Sequence, residues 1–179
     1  MLSLLGKMSG LLRLRLLCAV AMLFSLHVSY THAEEINQKD HFGRITGLPI
    51  PRFVTLKGNK ANMRFGPSKT HAIKWQYNRK GLPVEVIDEF DHWRKVRDMD
   101  GSEGWIHQMV LSGRRTVVTL EGDHFVRSGP NYDYDIVAQI SGGVILTPDD
   151  CSESWCLLEH DTFEGWLPKD VLYGVYSSE

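Results

Sequence analysis

Two cysteines in the last thirty residues are the side chains best placed to do chemistry. Cys151 and Cys156 are separated by four residues, which is not the Cys-x-x-Cys spacing of a disulfide oxidoreductase. A zinc site needs about four ligands, and His160 is the nearest histidine. We therefore expect a structural disulfide, with free thiols and a metal site as the alternatives.

The histidines form no recognisable catalytic or metal-binding motif. Six of them follow residue 33, and none has a partner at the spacing typical of metal ligands. The sequence also contains no Gly-x-Ser-x-Gly elbow, phosphate-binding glycine loop or His-Glu-x-x-His motif. We therefore expect no catalytic residues, no metal, no cofactor and no enzymatic activity. The six histidines are His41, His71, His92, His107, His124 and His160.

The first 33 residues have the layout of a signal peptide. They hold no acidic residue, and their basic residues all precede an apolar run over residues 16–28. This run is shorter than the roughly 20 residues needed to cross a bilayer. Thr31-His32-Ala33 supplies small residues for a signal peptidase at positions −3 and −1. We expect cleavage after Ala33 and export to the periplasm or beyond, with no membrane span left in the mature chain. An uncleaved anchor is the alternative.

Composition and charge exclude several classes of protein. The chain is 42% hydrophobic and 23% charged, which is typical of a globular protein and not of a disordered one. Without residues 1–33 it carries 17 basic and 22 acidic residues, a net charge of −5. Such a chain has no overall basic field to hold phosphates, so we expect no nucleic-acid partner.

Residues 53–179 contain one pattern twice. Four landmarks recur in the same order, with an offset that falls only from 63 to 61 residues. We therefore predict a linker or loosely docked N-terminal arm over residues 34–52, repeat one over 53–113 and repeat two over 114–179. The recurring landmarks are Arg64-Phe65-Gly66-Pro67 with Arg127-Ser128-Gly129-Pro130, Trp93 with Trp155, Gly104-Trp105 with Gly165-Trp166, and Val110-Leu111 with Val171-Leu172.

The apolar pattern inside each repeat predicts strands. Val84, Val86 and Phe90 alternate with polar partners in repeat one, and residues 144–147 are the matching segment of repeat two. No ten-residue stretch after residue 33 carries a helical stripe with credible caps. About five short strands in some 60 residues indicate a small antiparallel barrel, because curling the sheet hides its edges and its apolar face together. The predicted fold class is therefore all-β, with two tandem barrels.

Each repeat resembles the bacterial SH3 domains of exported proteins. The resemblance rests on Asn62-Met63-Arg64-Phe65-Gly66-Pro67-Ser68, then Gly81, the valine-rich residues 84–87, Trp93 and Gly104-Trp105. It implies two SH3-like barrels and a cell-wall ligand. In two departures from the family pattern, Phe65 replaces a small residue and Phe125 replaces the asparagine of repeat two. We expect Phe65 to be an exposed aromatic residue and repeat two to lack whatever that asparagine supports.

Arginines and aromatic residues are the candidate ligand contacts. Arg64 and Arg127 could hold a carboxylate through a bidentate pair, although an arginine beside a tight turn more often bonds to carbonyls of its own loop. Gly66-Pro67 is expected to set a turn through unusual glycine backbone angles. We expect Trp105 and Trp166 to be packed. The aromatic candidates are Phe65, Trp75, Tyr77 and Trp93 as a possible groove in repeat one, and Tyr132, Tyr134 and Trp155 in repeat two.

The two repeats differ in charge. Repeat one has ten basic and seven acidic residues, net +3, and repeat two has four basic and twelve acidic residues, net −8. Both could be solvated surfaces. Alternatively, the repeats attract each other, or repeat one meets an anionic partner. The lysines and arginine considered for that contact are Lys57, Lys60, Lys69, Lys74, Arg79 and Lys80.

Together these features predict a non-catalytic exported binding module. Its expected partner is a cell-wall peptide, as the resemblance implies, or an envelope protein. A structural adaptor of the envelope is the alternative, and a cell-wall hydrolase ranks third. The sequence leaves the exact ligand and the oligomeric state open.

Overall fold

The computed structural model describes residues 42–179, and the predicted signal peptide over residues 1–33 lies outside them. Within this range the chain consists of β-strands, turns and two short 3-10 segments, without an α-helix. The all-β prediction is confirmed. No helix in residues 42–179 is long and apolar enough to span a membrane.

Repeat one folds into a sheet of seven antiparallel strands, two more than the alternation predicts. The additional strands include β7, which has only two residues. A strand this short cannot show an alternation of apolar and polar residues in the sequence. The strands are ordered β3-β2-β6-β5-β4-β1-β7. They are β1 (Arg52–Leu56), β2 (Ala61–Arg64), β3 (Ile73–Tyr77), β4 (Pro83–Phe90), β5 (Trp93–Arg97), β6 (Glu103–His107) and β7 (Leu111–Ser112), with a 3-10 turn over Gln108–Val110.

Repeat two has the same topology. Its strand order is β10-β9-β13-β12-β11-β8-β14, which is the order of repeat one with seven added to each number. The duplication seen in the sequence is therefore a duplication of the fold. The strands are β8 (Val117–Thr119), β9 (Asp123–Arg127), β10 (Ile136–Ser141), β11 (Ile145–Cys151), β12 (Trp155–His160), β13 (Phe163–Pro168) and β14 (Leu172–Tyr173), with a 3-10 turn over Lys169–Val171.

Each sheet encloses its own hydrophobic core. In β5, Val96 is fully buried while Lys95 and Arg97 on either side reach the outer face. Side chains such as Leu56, Met63 and Ile106 fill the core of repeat one, and each contributes about 1.5–3 kcal/mol relative to full exposure. The core of repeat two is a separate cluster around Val126, Leu146, Leu158 and Leu167.

The N-terminal arm is fixed to repeat one through a buried carboxylate. Glu89 in β4 is only 1% exposed. Its oxygens accept hydrogen bonds from the Ile45 and Thr46 backbone amides, the Thr46 hydroxyl and Arg52 Nη2. Burial alone would raise the pKa of Glu89, but these hydrogen bonds outweigh it and lower the pKa to about 2. Residues 42–52 are therefore a docked part of repeat one.

The two repeats contact each other through hydrogen bonds and aromatic rings. Phe53 packs against Tyr173 and Tyr176, with ring centroids 5.2 and 4.7 Å apart. The Tyr173 hydroxyl donates to the Arg97 carbonyl at 3.0 Å, and the Tyr176 hydroxyl donates to Glu85 at 3.0 Å. No ion pair within residues 42–179 joins one repeat to the other. Their opposite charges therefore do not make this junction through ion pairs.

Candidate binding grooves

A groove of about 320 Å³ lies on the outer face of repeat one; we call it groove 1. Lys60, Asn62 and Arg64 are spaced two residues apart along β2 and its approach, so they point to the same face of the sheet. Arg64 pairs with Trp105 of β6, which brings this face beside β6 and β5. Groove 1 is lined by Lys60, Asn62, Arg64, Lys69, Trp93, His107 and Val110.

The charge of groove 1 is entirely positive. Lys60, Arg64 and Lys69 line it, and none of its lining residues is acidic. Burial lowers the pKa of the His107 imidazole below its usual value, and His92 and Lys69 lower it further. His107 is therefore neutral at pH 7 and offers a hydrogen bond there without a charge. The groove can receive an anionic group such as a carboxylate.

Arg64 and Arg127 have the same structural role. Arg64 Nη1 donates to the His71 carbonyl at 2.7 Å, and Arg127 Nη1 donates to the Tyr134 carbonyl at 2.7 Å. Both bonds span seven residues and close the loop that contains the Gly-Pro pair. This is the bond to a loop carbonyl considered from the sequence. A guanidinium has five N–H donors, so Arg64 keeps others for groove 1.

The glycine of each Gly-Pro pair is required by close packing. A Cβ atom on Gly66 would lie 2.5 Å from the His71 ring, and one on Gly129 would lie 2.6 Å from the Tyr134 ring. Neither glycine is among the residues with positive φ. The expectation of unusual backbone angles was therefore wrong. Glycine is needed at both positions because an aromatic ring, five residues later in the chain, occupies the space that a side chain would fill.

Two pairs of equivalent tryptophans differ in exposure. Trp93 and Trp155 are each only 7% exposed, whereas Trp105 and Trp166 are partly exposed. Trp93 and Trp155, both candidate ligand contacts, therefore present little of their rings to solvent. Trp93 nevertheless lines groove 1, where His107 packs edge-on against it at 5.2 Å.

The four aromatic residues considered for repeat one do not form one groove. Tyr77 is buried in the core, and its hydroxyl donates to Asp98 at 2.7 Å. Burial and this hydrogen bond raise the pKa of Tyr77 far above its usual value. Phe65 is 65% exposed, as its place in the sequence indicated, and Trp75 is also exposed, but neither lines groove 1.

A groove of about 400 Å³, which we call groove 2, lies in repeat two and overlaps the place of groove 1 at three equivalent lining residues, Tyr132, Trp155 and Pro168. Trp155 holds the position of Trp93, and Tyr132 holds that of Lys69, five residues after the arginine that recurs in each copy. Tyr134 lies over Gly129 and is not a lining residue. Groove 2 is lined by Tyr132, Glu153, Ser154, Trp155, Pro168, Lys169, Asp170, Val175 and Ser177.

The asparagine that repeat two lacks joins two strands in repeat one. Asn62 Oδ1 accepts a hydrogen bond from Gln76 Nε2 at 2.7 Å, between directly opposed residues of β2 and β3. In repeat two Phe125 opposes Gln139. The cross-strand hydrogen bond is therefore lost there, and Phe125 is exposed instead.

Cys151 and Cys156 form a disulfide between β11 and β12, as predicted, with the two Cα atoms 4.1 Å apart. Their thiols are thus unavailable as nucleophiles or metal ligands. Within residues 42–179, no three His, Cys, Asp or Glu side chains gather as a possible metal site.

The sequence named some residues of groove 1 only within a larger set and gave others no separate signal. Asn62 and His107 carry no signal apart from the repeat motif. Lys60 and Lys69 belong to a basic set of which only these two line the groove. A third cavity, of about 550 Å³, lies between the repeats, where Arg79 and Met99 face Glu121 and Asp123.

Two copies of one seven-stranded antiparallel sheet, each curled around its own core, define a tandem SH3-like barrel protein. Residues 57–113 and residues 122–173 each match a family described as "Bacterial SH3 domain". The chain belongs to the bacterial SH3 domain family, with two such domains in tandem.

Similarity to individual proteins is distant. The chain is 21% identical over 131 residues to a protein of Bacillus subtilis (strain 168) named "Putative N-acetylmuramoyl-L-alanine amidase YrvJ". The match covers 67% of this chain and 25% of YrvJ, so the chain spans about a quarter of the length of that relative.

Two solved structures from Trichomonas vaginalis, NlpC1 and NlpC2, are 14% and 13% identical to the chain. They match 68% and 69% of this chain, and 45% and 48% of their own. Their TM-scores are 0.33 and 0.32.

Proposed function

We propose that this protein is a non-catalytic, exported binding module whose groove 1 recognises a carboxylate of a cell-wall peptide. The observation that carries the proposal is the lining of groove 1, with three basic side chains and no acidic one. An arginine and two lysines around a half-open groove are suited to a carboxylate because charge-assisted hydrogen bonds are the stronger ones.

Membership in the bacterial SH3 family supports a cell-wall ligand. The name of the Bacillus subtilis relative also points to the cell wall, although this chain matches only a quarter of that protein. Export is supported by the layout of residues 1–33 and by the Cys151–Cys156 disulfide, because disulfides persist in oxidising compartments. The proposal includes a signal peptide over residues 1–33, an arm over 34–52 and repeats over 53–113 and 114–179.

The chemistry of groove 1 supports binding without catalysis. A general acid–base mechanism needs a titratable group within hydrogen-bond reach of the reacting atoms. His107 is the only histidine among the lining residues, and groove 1 has no carboxylate or cysteine to work with it. A ligand can therefore be held by charge and hydrogen bonds, without a nucleophile beside it.

The second candidate is a structural adaptor of the cell envelope. It is favoured by one observation, the exposed apolar side chains Phe65, Ile73 and Trp75 in and beside strand β3, none of which lines either groove. Exposed apolar patches are typical of protein-binding surfaces. An adaptor would bind another protein through this patch and would not bind the cell wall.

Retention on purified peptidoglycan sacculi tests the proposal. Trp93 is buried and Arg64 closes a loop, so replacing either would disturb the fold. The better variant is Lys60→Gln with Lys69→Gln, since both lysines are exposed and line groove 1. The matched control is Lys57→Gln with Lys80→Gln, which removes the same charge from exposed positions outside the groove.

We expect the groove variant to lose most of its retention and the control to keep it. Equal loss in both variants, abolished by salt, would indicate non-specific charge attraction. If the unaltered protein is not retained, the proposal of a cell-wall ligand is contradicted and the adaptor is favoured. Release of soluble fragments from the sacculi would contradict the non-catalytic assignment.

A further inference from the structure

We infer that groove 2 is a second binding site, and that its ligand is a cationic group of a peptide, an ammonium or a guanidinium. This inference goes beyond the function proposed for groove 1, because it concerns the other repeat and the opposite charge. It does not depend on what groove 1 binds.

Groove 2 overlaps the position of groove 1 at three equivalent residues, Tyr132, Trp155 and Pro168, but its charge is the reverse. Both grooves contain the buried tryptophan that begins the fifth strand of its repeat, Trp93 or Trp155. Where Lys69 contributes a positive charge to groove 1, Tyr132 contributes an aromatic ring to groove 2. Glu153 and Asp170 then add two carboxylates, of which groove 1 has none.

The two carboxylates are available to a ligand. Glu153 and Asp170 are exposed, and neither has an ion pair or a side-chain hydrogen bond with another residue of the range 42–179. The one basic residue in the lining, Lys169, donates its ammonium to the main-chain oxygen of Glu179. The charged groups of groove 2 that can still bind a ligand are therefore the carboxylates of Glu153 and Asp170.

The aromatic ring of Tyr132 adds a surface that attracts cations. Tyr132 is 67% exposed and packs edge-on against Trp155, with ring centroids 4.9 Å apart and an interplanar angle of 69°. The guanidinium of Arg127 already lies 5.5 Å from the Tyr132 ring centroid. The ring thus takes part in a cation–π contact within the protein while much of its surface remains open to solvent.

The net charge of repeat two also favours a cationic ligand. Repeat two carries a net charge of −8, whereas repeat one carries +3. A strongly acidic domain raises the local concentration of cations and speeds their encounter with the site. Groove 2 combines this field with a cavity, a ring and two unpaired carboxylates, which together fit an ammonium or a guanidinium.

Titration with the peptide acetyl-Lys-Lys-Lys-amide, followed through the indole N–H signal of Trp155 in NMR spectra, tests this inference. The groove variant is Glu153→Gln with Asp170→Asn. The control is Asp161→Asn with Glu164→Gln, which neutralises two exposed acids of the same repeat outside the groove. Tyr132→Ser removes the ring, and thermal unfolding of every variant checks that the fold is kept.

We expect the groove variant and Tyr132→Ser each to weaken binding by about fivefold or more, as the loss of close ionic or cation–π contacts predicts. The control should stay within about twofold of the unaltered protein, and acetyl-Glu-Glu-Glu-amide should not shift the Trp155 signal. No response of Trp155 to the lysine peptide, or equal weakening in the control, would overturn the inference. Retention on sacculi through groove 1 would be unaffected by either result.

Discussion

Glu89 and Arg94 are directly opposed across strands β4 and β5, with a Glu89 carboxylate oxygen 3.6 Å from Arg94 Nε. Cys151 and Cys156 are opposed across β11 and β12 at the equivalent register position, after the same β-bulge. One repeat thus fixes this strand pair with a buried ionic cluster, and the other fixes it with a covalent bond. In repeat one the same carboxylate also binds the arm.

Replacing Glu89 with alanine should destabilise the protein strongly. The change would leave Arg52 and Arg94 without their buried carboxylate and the Thr46 amide without its acceptor. Removing one partner of a buried ion pair costs about 3–5 kcal/mol. Urea unfolding should report a loss of this size, whereas Glu121→Ala, at an exposed site, should change the free energy of unfolding by less than about 0.5 kcal/mol. Similar values for both variants would contradict the role given to Glu89.

The same carboxylate predicts acid sensitivity. Its pKa falls from 4.5 to about 2 on folding, so the carboxylate stabilises the folded state above pH 4.5. That contribution is lost as the pH falls from 4.5 towards 2, and it amounts to at most about 3 kcal/mol. We expect the free energy of unfolding to fall over this range, and to fall less steeply in Glu89→Gln. An unchanged slope in that variant would assign the acid sensitivity to other groups.

The disulfide should stabilise repeat two modestly. Only four residues lie between Cys151 and Cys156, and short loops gain least from closure, so replacing both cysteines with serine should cost at most about 3 kcal/mol. Urea unfolding of the double variant measures this cost. Mass analysis of unreduced, alkylated protein should find neither cysteine labelled, and labelling of both would contradict the disulfide.

Replacing Gly66 or Gly129 with alanine should destabilise the protein because there is no room for a Cβ atom at either position. The new methyl group would meet the ring of His71 or Tyr134, and overpacking of this kind costs about 1–3 kcal/mol. Gly58 has no atom within 4 Å of the place of a Cβ, so Gly58→Ala is the matched control and should have little effect. Thermal unfolding compares the three variants, and equal melting temperatures would refute the packing explanation.

Much of the fold could be predicted from the sequence because it repeats. The offset of Arg64 to Arg127 and of Trp93 to Trp155 located two copies of one unit, and alternation within each copy indicated strands. The two-residue strands β7 and β14 could not be found, because their pairing depends on β1 and β8, which lie more than 50 residues away in sequence.

Less of the candidate site could be predicted. Residue type alone does not tell a buried tryptophan from an exposed one, so the sequence could name Trp93 as a candidate ligand contact but could not show that its ring is buried. The place of Glu89 in the core depends on amide groups of the arm, 43 and 44 residues earlier in the chain. Which lysines line groove 1 depends on how β2 pairs with β6 and not on local sequence.

The most direct test of the central proposal is an NMR titration of the unaltered protein with soluble peptidoglycan fragments that carry free carboxylates. We expect the strongest shifts at the Trp93 indole, the His107 ring and the backbone amides around Lys69, all in groove 1. The Lys60→Gln with Lys69→Gln variant should lose these shifts, and its Lys57→Gln with Lys80→Gln control should keep them. If the signals of groove 1 do not shift at a high fragment concentration, binding of the cell-wall peptide in groove 1 is contradicted.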